Sequence, residues 1–354
     1  MNRLTLAVAG GRKTQSVVEE CAGANCRTLV LTFTLANQKE LRDRLAMRRP
    51  LVGRVEVRGW FSFLLGEWVR PYLPRRFQGR RLEGLNFDGD PGRYAKDERR
   101  FLDDENRAYR RHLAQLAVLT NAASRGAVVD RICRMYDQIH VDEIQDLNGY
   151  DLEVLALLLQ SGPPLHLVGD VRQALISTNE RDPKHKQYKG IGIKTWFELQ
   201  EKKGVLEIDQ QATTWRSNQM IADFADSIFD AGWGFEKTTS MNSLVTGHDG
   251  LFAIRTEDVD AYVEAYRPLC LRHSANSARK LDLNFTTFRM SKGRSADRIL
   301  IAPTNRMVDF LRDGKRLDPA AACSLYVGVT RARFSVAFVS DDAAELELPL
   351  WTPA

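Results

Sequence analysis

Residues 3–16, "RLTLAVAGGRKTQS", are the stretch from which the fold of this chain can be predicted. The apolar run "LTLAVA" predicts a short buried strand, and two glycines end it. "KTQSVVEECAG" (13–23) then predicts a helix that stops at a glycine. A strand that passes through glycines into a helix is typical of a phosphate-binding loop, because backbone N–H groups and the helix N-terminus attract phosphate oxygens.

The same stretch carries the side chains that such a loop needs. Lys13 is placed to reach the outer phosphates, and the hydroxyl of Thr14 is placed to bind Mg²⁺. Arg12 stands where such a loop normally has its last glycine, so a plain strand–turn–helix remains the alternative. The predicted nucleotide-binding residues are Gly10, Gly11, Arg12, Lys13, Thr14 and Gln15.

Strand-like and helix-like segments alternate beyond the loop. "RTLVLTFT" (27–34) predicts a second strand and "LANQKELRDRLAM" (35–47) an amphipathic helix. Further strands are predicted at "QIHVDE" (138–143), "PLHLVGD" (164–170), "GVLEID" (204–209), "RILIAP" (298–303) and "FSVAFVS" (334–340). This alternation favours an α/β fold of parallel sheets covered by helices.

Two α/β domains are predicted. The first spans residues 1–200 and carries an insertion at about 66–135, and the second spans 201–354 with an insertion at about 232–285. The first insertion contains "VRPYLPRRFQGRR" (69–81), with five arginines and no acid. This run predicts a contact with duplex or single-strand backbone, or else a solvated loop.

The composition indicates a globular protein that buries a core. It is 44% hydrophobic and 27% charged, and no apolar run is long enough for a transmembrane helix, so no membrane partner is expected. The net charge of +5 permits nucleic-acid binding without requiring it. Five scattered cysteines predict neither disulfides nor a zinc site and favour the reducing cytoplasm. His140, beside an apolar run, is interpreted as a structural residue rather than a metal ligand.

An acidic pair follows one predicted strand. "IHVDEIQD" (139–146) places Asp142 and Glu143 at the carboxyl edge of a sheet. One carboxylate can hold the hydration shell of Mg²⁺, and the other can orient and deprotonate a water molecule. The alternative is an acidic surface turn.

Other polar side chains follow further along the chain. Gln173, after another strand, could sense a terminal phosphate, and Arg216 and Arg331 could neutralise charge on a transferring phosphoryl group. Thr287 and Lys292 lie in a turn suited to phosphate contact, either of a nucleotide or of a nucleic acid. For each of these side chains a solvated surface position is the alternative.

Eight segments in one order resemble the UvrD/Rep-like superfamily 1 DNA helicases, from residue 4 to about 340. They are "AVAGGRKT" (7–14), "LVLTFTLANQKELRDRL" (29–45), "RGWFSFLL" (58–65), "IHVDEIQD" (139–146), "LVGDVRQ" (167–173), "TTWRSN" (213–218), "FRMSKGRSADRILI" (288–301) and "LYVGVTRAR" (325–333). The resemblance implies a P-loop NTPase with two RecA-like parallel-sheet domains, small mainly helical insertions, and ATP bound in the cleft between the domains. It also implies a compact member with reduced accessory subdomains.

The resemblance further implies a role for each matching residue. Lys13 and Thr14 would bind phosphates and Mg²⁺, Asp142 would bind Mg²⁺, and Glu143 would be the catalytic base. Gln173 would couple the γ-phosphate to motion, and Arg216 and Arg331 would be arginine fingers. The residues expected to contact DNA are Thr32, Phe33, Thr34, Trp60, Phe61, Ser62, Thr287 and Lys292. Core packing is the alternative for Phe33 and Phe61.

Some positions depart from the family pattern. Besides Arg12, Trp215 stands for a usual Tyr, Arg289 for a usual His, and Arg294–Ser295 for a Leu-Glu pair that helps hold the nucleotide sugar. Few residues precede the loop, so the upstream glutamine motif that reads adenine is expected to be missing and base selectivity to be relaxed.

The expected function is that of an ATP hydrolase that translocates on single-stranded or tailed duplex DNA and unwinds it, 3′ to 5′, with ATP and Mg²⁺ as cofactors. A motor that translocates without unwinding is a variant of this expectation. The alternative is a nucleotide-gated DNA-binding scaffold with weak or no ATPase that regulates a protein partner. Such a partner could be a nuclease or a repair or defence factor.

Overall fold

The structure, a computed structural model, describes residues 1–48, 54–179 and 181–353. By their internal contacts these residues form two compact units. Unit 1 comprises Met1–Leu6, Lys13–Gly169 and Ser177–Asp209. Unit 2 comprises Ala7–Arg12, Asp170–Ile176 and Gln210–Ala354.

Unit 1 is built on a parallel sheet flanked by helices. Its strands, in chain order, are β1 (Arg3–Ala7), β2 (Thr28–Thr32), β3 (Val55–Gly59), β4 (Gly84–Asn86), β5 (Arg107–Tyr109), β6 (Gln138–Val141), β7 (Leu165–Gly169) and β8 (Glu207–Gln211). Six of these form one sheet in the order β3-β2-β6-β7-β1-β8, and β4 pairs with β5 separately. The pairings from β3 to β1 are all parallel.

The helices of unit 1 fall into two groups. Those that cover the sheet or connect its strands are α1 (Lys13–Gly23), α2 (Leu35–Arg48), α3 (Trp60–Phe63), α8 (Tyr150–Leu159) and α9 (Ile193–Lys202), and those of the first insertion are α4 (Leu73–Arg76), α5 (Asp97–Phe101), α6 (Leu113–Ala123) and α7 (Ala127–Met135). A π-helical turn, Leu64–Val69, continues α3 into the insertion. Buried side chains of α1 and α2 pack on Val30, Val57 and Val168 of the sheet.

A buried polar cluster joins α3 to α8. The indole N–H of Trp60 donates to Asp151 Oδ1 over 2.7 Å, and the hydroxyl of Thr178 donates to Asp151 Oδ2. Burial raises the pKa of Asp151 to about 6. The carboxyl therefore holds the start of α8 against the core through hydrogen bonds that water cannot replace.

Asp151→Ala is expected to lower the free energy of unfolding by about 2–4 kcal/mol, because two buried donors lose their acceptor. In the wild type, the folded carboxyl keeps its proton to about pH 6 while the unfolded one releases it near 3.8, so stability falls as pH rises through this window. Asp151→Asn should remove that dependence. Urea denaturation at about pH 5 and about pH 7.5 measures both effects, with exposed Asp130→Ala as control. An Asp151→Ala variant as stable as this control would contradict the expectation.

Unit 2 contains a second parallel sheet. Its strands are β9 (Thr213–Thr214), β10 (Thr239–Ser240), β11 (Gly250–Arg255), β12 (Leu269–Arg272), β13 (Thr286–Thr287), β14 (Ala296–Ala302) and β15 (Ala332–Ser340), and its helices are α10 (Gln219–Ser227), α11 (Val259–Tyr266), α12 (Asn305–Asp313) and α13 (Pro319–Val329). Five strands form the sheet, in the order β11-β15-β14-β12-β13, with every pairing parallel.

The strands of this sheet alternate between two cores. Ile299 and Ile301 of β14 face the core that α10, α12 and α13 cover, whereas Leu300 faces the core under α11. Helix starts are set locally: the side chain of Asp318 accepts hydrogen bonds from the N–H groups of Ala320 and Ala321 at the start of α13. Both faces of the sheet are thus covered, as a parallel sheet requires.

The predicted fold class, an α/β protein with two parallel sheets, is confirmed. Residues 232–285, predicted to be an insertion, require a correction. They contain β11 and β12, which pair in parallel with β15 and β14. The segment is therefore part of the sheet, since its short apolar runs "GLFAIR" and "LCLR" supply two of the five strands. None of the described helices is long and apolar enough to cross a membrane, and all five cysteines are free thiols.

Candidate functional site

The acidic pair of unit 1 lies directly after β6. The N–H of Asp142 donates to Leu31 O over 2.9 Å, which extends the β2–β6 ladder by one residue and leaves Asp142 only 1% exposed. Asp142 Oδ1 in turn accepts the N–H of Glu143 over 2.9 Å, and Gln145 donates to Glu143 Oε2. Glu143 has φ of +59°, a left-handed conformation that turns the chain sharply at this point.

Lys13 and Thr14 are the first two residues of α1. The helix has no acidic residue in its first turn, and the positive end of a helix attracts phosphate oxygens. Because β1 and β6 are parallel strands of one sheet, α1 and the acidic pair both follow the carboxyl edge of that sheet. A hydroxyl and a carboxylate can bind Mg²⁺, and an ammonium group can bind phosphate oxygens. The chemistry of these side chains therefore fits ATP with Mg²⁺.

Gln15, also predicted to bind nucleotide, points along α1. Its amide nitrogen donates to Glu19 over 2.7 Å, and its oxygen accepts from Arg44 over 3.4 Å. These bonds account for both ends of its side-chain amide.

The glycine segment belongs to unit 2, where residues near β9 hold it. The hydroxyl of Thr214 donates to Ala9 O over 2.8 Å, and the N–H of Trp215 donates to Gly10 O over 3.2 Å. Gly10 has φ of +74°, and a Cβ there would lie 2.6 Å from the Cβ of Arg216. Glycine is therefore required at this position both for the backbone conformation and for the close approach.

Arg12 packs against Trp215. Its guanidinium carbon lies 4.4 Å from the centre of the indole ring, which is 40% exposed. Arg12 has φ of +56°, a conformation that costs a non-glycine residue about 1–2 kcal/mol. A cation–π contact contributes roughly 0.5–1 kcal/mol at an exposed site and partly offsets this cost. The side chain that replaces the usual glycine is thus accommodated on a neighbouring ring.

A buried hydrogen-bond network in unit 2 centres on Asp170. The hydroxyl of Tyr326 donates to Asp170 Oδ2 over 3.0 Å and accepts the N–H of Ala9 over 3.1 Å. Gln173 donates to Asp170 Oδ2 over 2.8 Å, and its own oxygen accepts from Arg331 over 2.9 Å. Gln173 and Arg331, both predicted site residues, are therefore directly bonded.

Arg172 is the second cation of this network. It bonds Asp226 over 2.9 Å and stacks its guanidinium 4.6 Å from the ring centre of Tyr326. Burial alone would lower the pKa of Arg172. Interactions with Tyr326, Asp170 and Asp226 outweigh this effect and raise the pKa, so the guanidinium keeps its charge. Burial raises the pKa of Tyr326, so its hydroxyl keeps its proton.

Asp170, Arg172 and Tyr326 were not among the residues predicted from the sequence, although all three lie in segments that resemble helicase motifs. The available signal was a lone Tyr in a helix otherwise made of small and aliphatic residues, "AAACSLYVGV" (320–329). A bulky polar ring at such a position needs a buried partner.

The two predicted arginine fingers lie near one another. Arg216 donates to Thr330 O over 3.0 Å, and Thr330 directly precedes Arg331 in the chain. Arg331 is 2% exposed and donates to Val327 O over 3.0 Å. Burial lowers the pKa of Arg216.

The residues expected to contact DNA in unit 1 differ in exposure. Thr32 and Trp60 are 0% exposed, so neither side chain reaches the surface in this structure. Phe33 and Phe61 are half-buried. The ring of Phe33 lies 5.9 Å from that of Trp60, and the ring of Phe61 lies 6.1 Å from that of Phe87.

The remaining residues of this set lie in or beside helices and turns, except Thr287, which ends β13. Thr34 caps α2 by accepting the N–H of Asn37 over 3.1 Å, and Ser62 is exposed. In unit 2, Thr287 accepts the N–H of Met290 over 3.3 Å, and Lys292 is half-buried beside Gly293, whose φ is +86°.

Comparison with known proteins gives one family match. The model of the UvrD/REP helicase N-terminal domain matches residues 99–180, which include the acidic pair, β7 and Gln173. No curated protein sequence matches the chain.

Solved structures with the same architecture include viral helicases. Arterivirus nonstructural protein 10 (helicase) has a TM-score of 0.50 and 11% identity, covering 98% of this chain and 62% of that one. The structure of its complex with DNA has a TM-score of 0.50 and 11% identity, and the match covers 96% of this chain and 61% of that one. The PRRSV helicase has a TM-score of 0.48 and 15% identity, and the match covers 98% of this chain and 55% of that one.

The two arterivirus structures share the fold of this chain. The chain spans 55–62% of the length of the viral helicases. The family match confirms, over residues 99–180, the predicted resemblance to UvrD/Rep-like helicases.

Proposed function

We propose that this protein is an ATP-driven motor that moves along single-stranded DNA in the 3′ to 5′ direction and separates the strands of a tailed duplex. The observation that carries the proposal is the acidic pair Asp142–Glu143 after β6, within the stretch that matches the helicase family model. A structure with the same fold binds DNA as a helicase, which supports DNA as the track.

In this proposal the residues of unit 1 bind ATP and Mg²⁺ and activate the attacking water. Lys13 would contact phosphate oxygens, and Thr14 and Asp142 would hold Mg²⁺, which supplies positive charge that offsets the charge on the phosphates. Glu143 would accept the proton of the attacking water. Gln145 donates to this carboxylate, and Asp142 Oδ1 accepts the backbone N–H of Glu143, so one side-chain bond and one main-chain bond hold the residue before the reaction begins.

The residues of unit 2 would stabilise charge and report the state of the phosphates. Arg216 and Arg331 would stabilise the transferring phosphoryl group. Gln173 would sense that group, and its bonds to Asp170 and Arg331 give it a route to β7 and α13.

The proposal is tested by ATP hydrolysis with and without single-stranded DNA, and by displacement of a labelled strand from duplexes with a 3′ or a 5′ tail. Stimulated hydrolysis with displacement from the 3′-tailed substrate is expected. Stimulated hydrolysis without displacement would indicate translocation alone.

A nucleotide-gated scaffold is the second candidate function, and the observation that favours it is Arg12. Arg12 stands in place of a glycine and packs on Trp215, which restricts the backbone conformations of the loop and the space around it. DNA binding that responds to ATP in the absence of measurable hydrolysis would support this candidate and contradict the motor.

The basic run at 69–81 offers a separate prediction about DNA affinity. Arg75 and Arg76 end the short helix α4, and both are exposed. If they bind phosphates, Arg75→Glu with Arg76→Glu should weaken binding of single-stranded DNA at least about tenfold. The salt slope should also fall by about 0.7 for each phosphate that is no longer neutralised.

Binding is measured by fluorescence anisotropy across a salt series. Lys202→Glu with Lys203→Glu, at the exposed end of α9, is the matched control because it changes the net charge equally. Equal weakening in both variants would show a general charge effect, and no change in the first variant would favour a solvated loop.

A further inference from the structure

Three potential metal ligands converge on one face of the six-stranded sheet of unit 1. His140 on β6 and His166 on β7 are direct register partners, and Arg3 on β1 is the next partner in the same row. Glu20 of α1 reaches this row from the covering helix. The parallel register therefore brings together residues that are far apart in the sequence.

The ligand atoms are close enough to share one ion. Glu20 Oε2 lies 3.0 Å from His166 Nδ1 and 4.0 Å from His140 Nδ1, and one donor atom from each residue lies within 4.8 Å of the others. Ligands of a tetrahedral zinc ion, with bonds of about 2.0–2.1 Å, are about 3.3 Å apart. Small side-chain rotations would bring the three atoms to that spacing.

His140 provides an independent indication of a missing partner. Its side chain is 0% exposed, and neither ring nitrogen has a hydrogen-bond partner among the described residues. Buried polar atoms in native proteins are nearly always satisfied, because an unpaired one is costly. The sequence interpretation of His140 as a structural residue leaves both ring nitrogens without a partner. A metal ion would satisfy Nδ1, the nitrogen that lies 4.0 Å from Glu20 Oε2.

Arg3 orients the carboxylate of the cluster. Its guanidinium donates to Glu20 Oε1 over 2.6 Å, which leaves Oε2 directed toward the two imidazoles. Hydrogen bonds of this kind commonly fix metal-binding carboxylates from outside the ligand set. The side chains of Glu20 and His166 are 38% and 22% exposed, so an ion can enter from solvent.

We propose that Glu20, His140 and His166 bind one divalent transition-metal ion, with Zn²⁺ as the preferred metal and a water molecule in the fourth position. Two imidazoles and a carboxylate are a donor set that zinc accepts, and Mg²⁺ prefers all-oxygen ligands. The ion would tie α1 to β6 and β7. It would therefore stabilise unit 1 independently of any nucleotide chemistry.

The test is metal binding by the full chain, with any affinity tag removed, after treatment with a chelator and dialysis. Zn²⁺ is titrated by calorimetry and Co²⁺ by visible absorption, in excess Mg²⁺ so that Asp142 and Thr14 are not available to the probe. One equivalent per chain, Co²⁺ bands typical of low coordination, and a higher melting temperature are expected.

Two variants and one control locate the site. His166→Ala and Glu20→Gln should each weaken binding at least about tenfold, since each removes a ligand. His185→Ala removes a different His–Glu pair of unit 1, in which His185 Nε2 lies 2.6 Å from Glu153 Oε1, and should bind as the wild type does. His166 is partly exposed, so its variant is expected to fold, which circular dichroism checks.

The proposal is overturned if the folded wild type shows no saturable binding of one equivalent. It is also overturned if His166→Ala and Glu20→Gln bind zinc with wild-type affinity, because the ion would then lie elsewhere.

Discussion

Glu143→Gln is expected to lower the rate of DNA-stimulated ATP hydrolysis by about 10²–10⁴-fold, the usual contribution of a general base. The substitution keeps the size of the side chain and an oxygen that can accept from Gln145, but an amide cannot take a proton from water. Asp142, Lys13 and Thr14 are unchanged, so the affinity for ATP should be preserved. A loss confined to the catalytic rate would therefore identify Glu143 as the base.

The measurement is steady-state hydrolysis over a range of ATP concentrations with saturating single-stranded DNA, beside direct binding of a non-hydrolysable analogue. Glu153→Gln is the matched control. Glu153 lies on α8, where it pairs with Lys184 and His185, outside the proposed nucleotide-binding residues. Hydrolysis by Glu143→Gln at the wild-type rate would rule out the assigned role, whereas parallel losses in both variants would indicate a structural effect.

The parallel sheets could be predicted from the sequence because their strands are short apolar runs that end in glycines or acids. The run "IHV" ends at Asp142, and "LHLV" ends at Gly169, and the structure places both as neighbouring parallel strands. The start of α1 at Lys13 could be predicted because the helical segment 13–23 directly follows the glycines that end the first strand. Local pattern was sufficient where an element is defined by its own residues.

Features that depend on register or on long-range packing could not be predicted. The strand β12 is four residues long and is defined by its pairing with β13 and β14. The bond from Tyr326 to Asp170 joins residues 156 positions apart. Trp60 is buried and donates a hydrogen bond to Asp151 on another helix, a contact that no local pattern encodes.

The same limit applies to the candidate sites. The residue types at Lys13, Asp142 and Glu143 could be assigned because their spacing resembles a known motif. His140 and His166 form no motif, since their proximity arises only when β6 and β7 pair in register. Arg12 could be identified as unusual, but its contact with Trp215 required the three-dimensional structure.

Arg331→Ala is expected to reduce hydrolysis by about 10³–10⁵-fold if Arg331 stabilises the transferring phosphoryl group, as arginine fingers do. The residue is also structural: it donates to Val327 O, to Arg294 O over 3.3 Å and to Gln173 over 2.9 Å. Loss of these bonds would leave buried acceptors unpaired, at about 1–3 kcal/mol each, so the alanine variant alone could lose activity by unfolding.

Arg331→Lys separates the two contributions, because lysine keeps the charge and part of the packing but lacks the planar fork of the guanidinium. We expect a melting temperature within a few degrees of the wild type, unchanged binding of a non-hydrolysable ATP analogue, and hydrolysis reduced at least about 10²-fold. Arg333→Ala is the control, since Arg333 is an exposed arginine two positions away that pairs with Asp297 over 3.2 Å. A folded Arg331→Lys variant that hydrolyses ATP at the wild-type rate would show that the guanidinium of Arg331 serves only the buried network with Gln173.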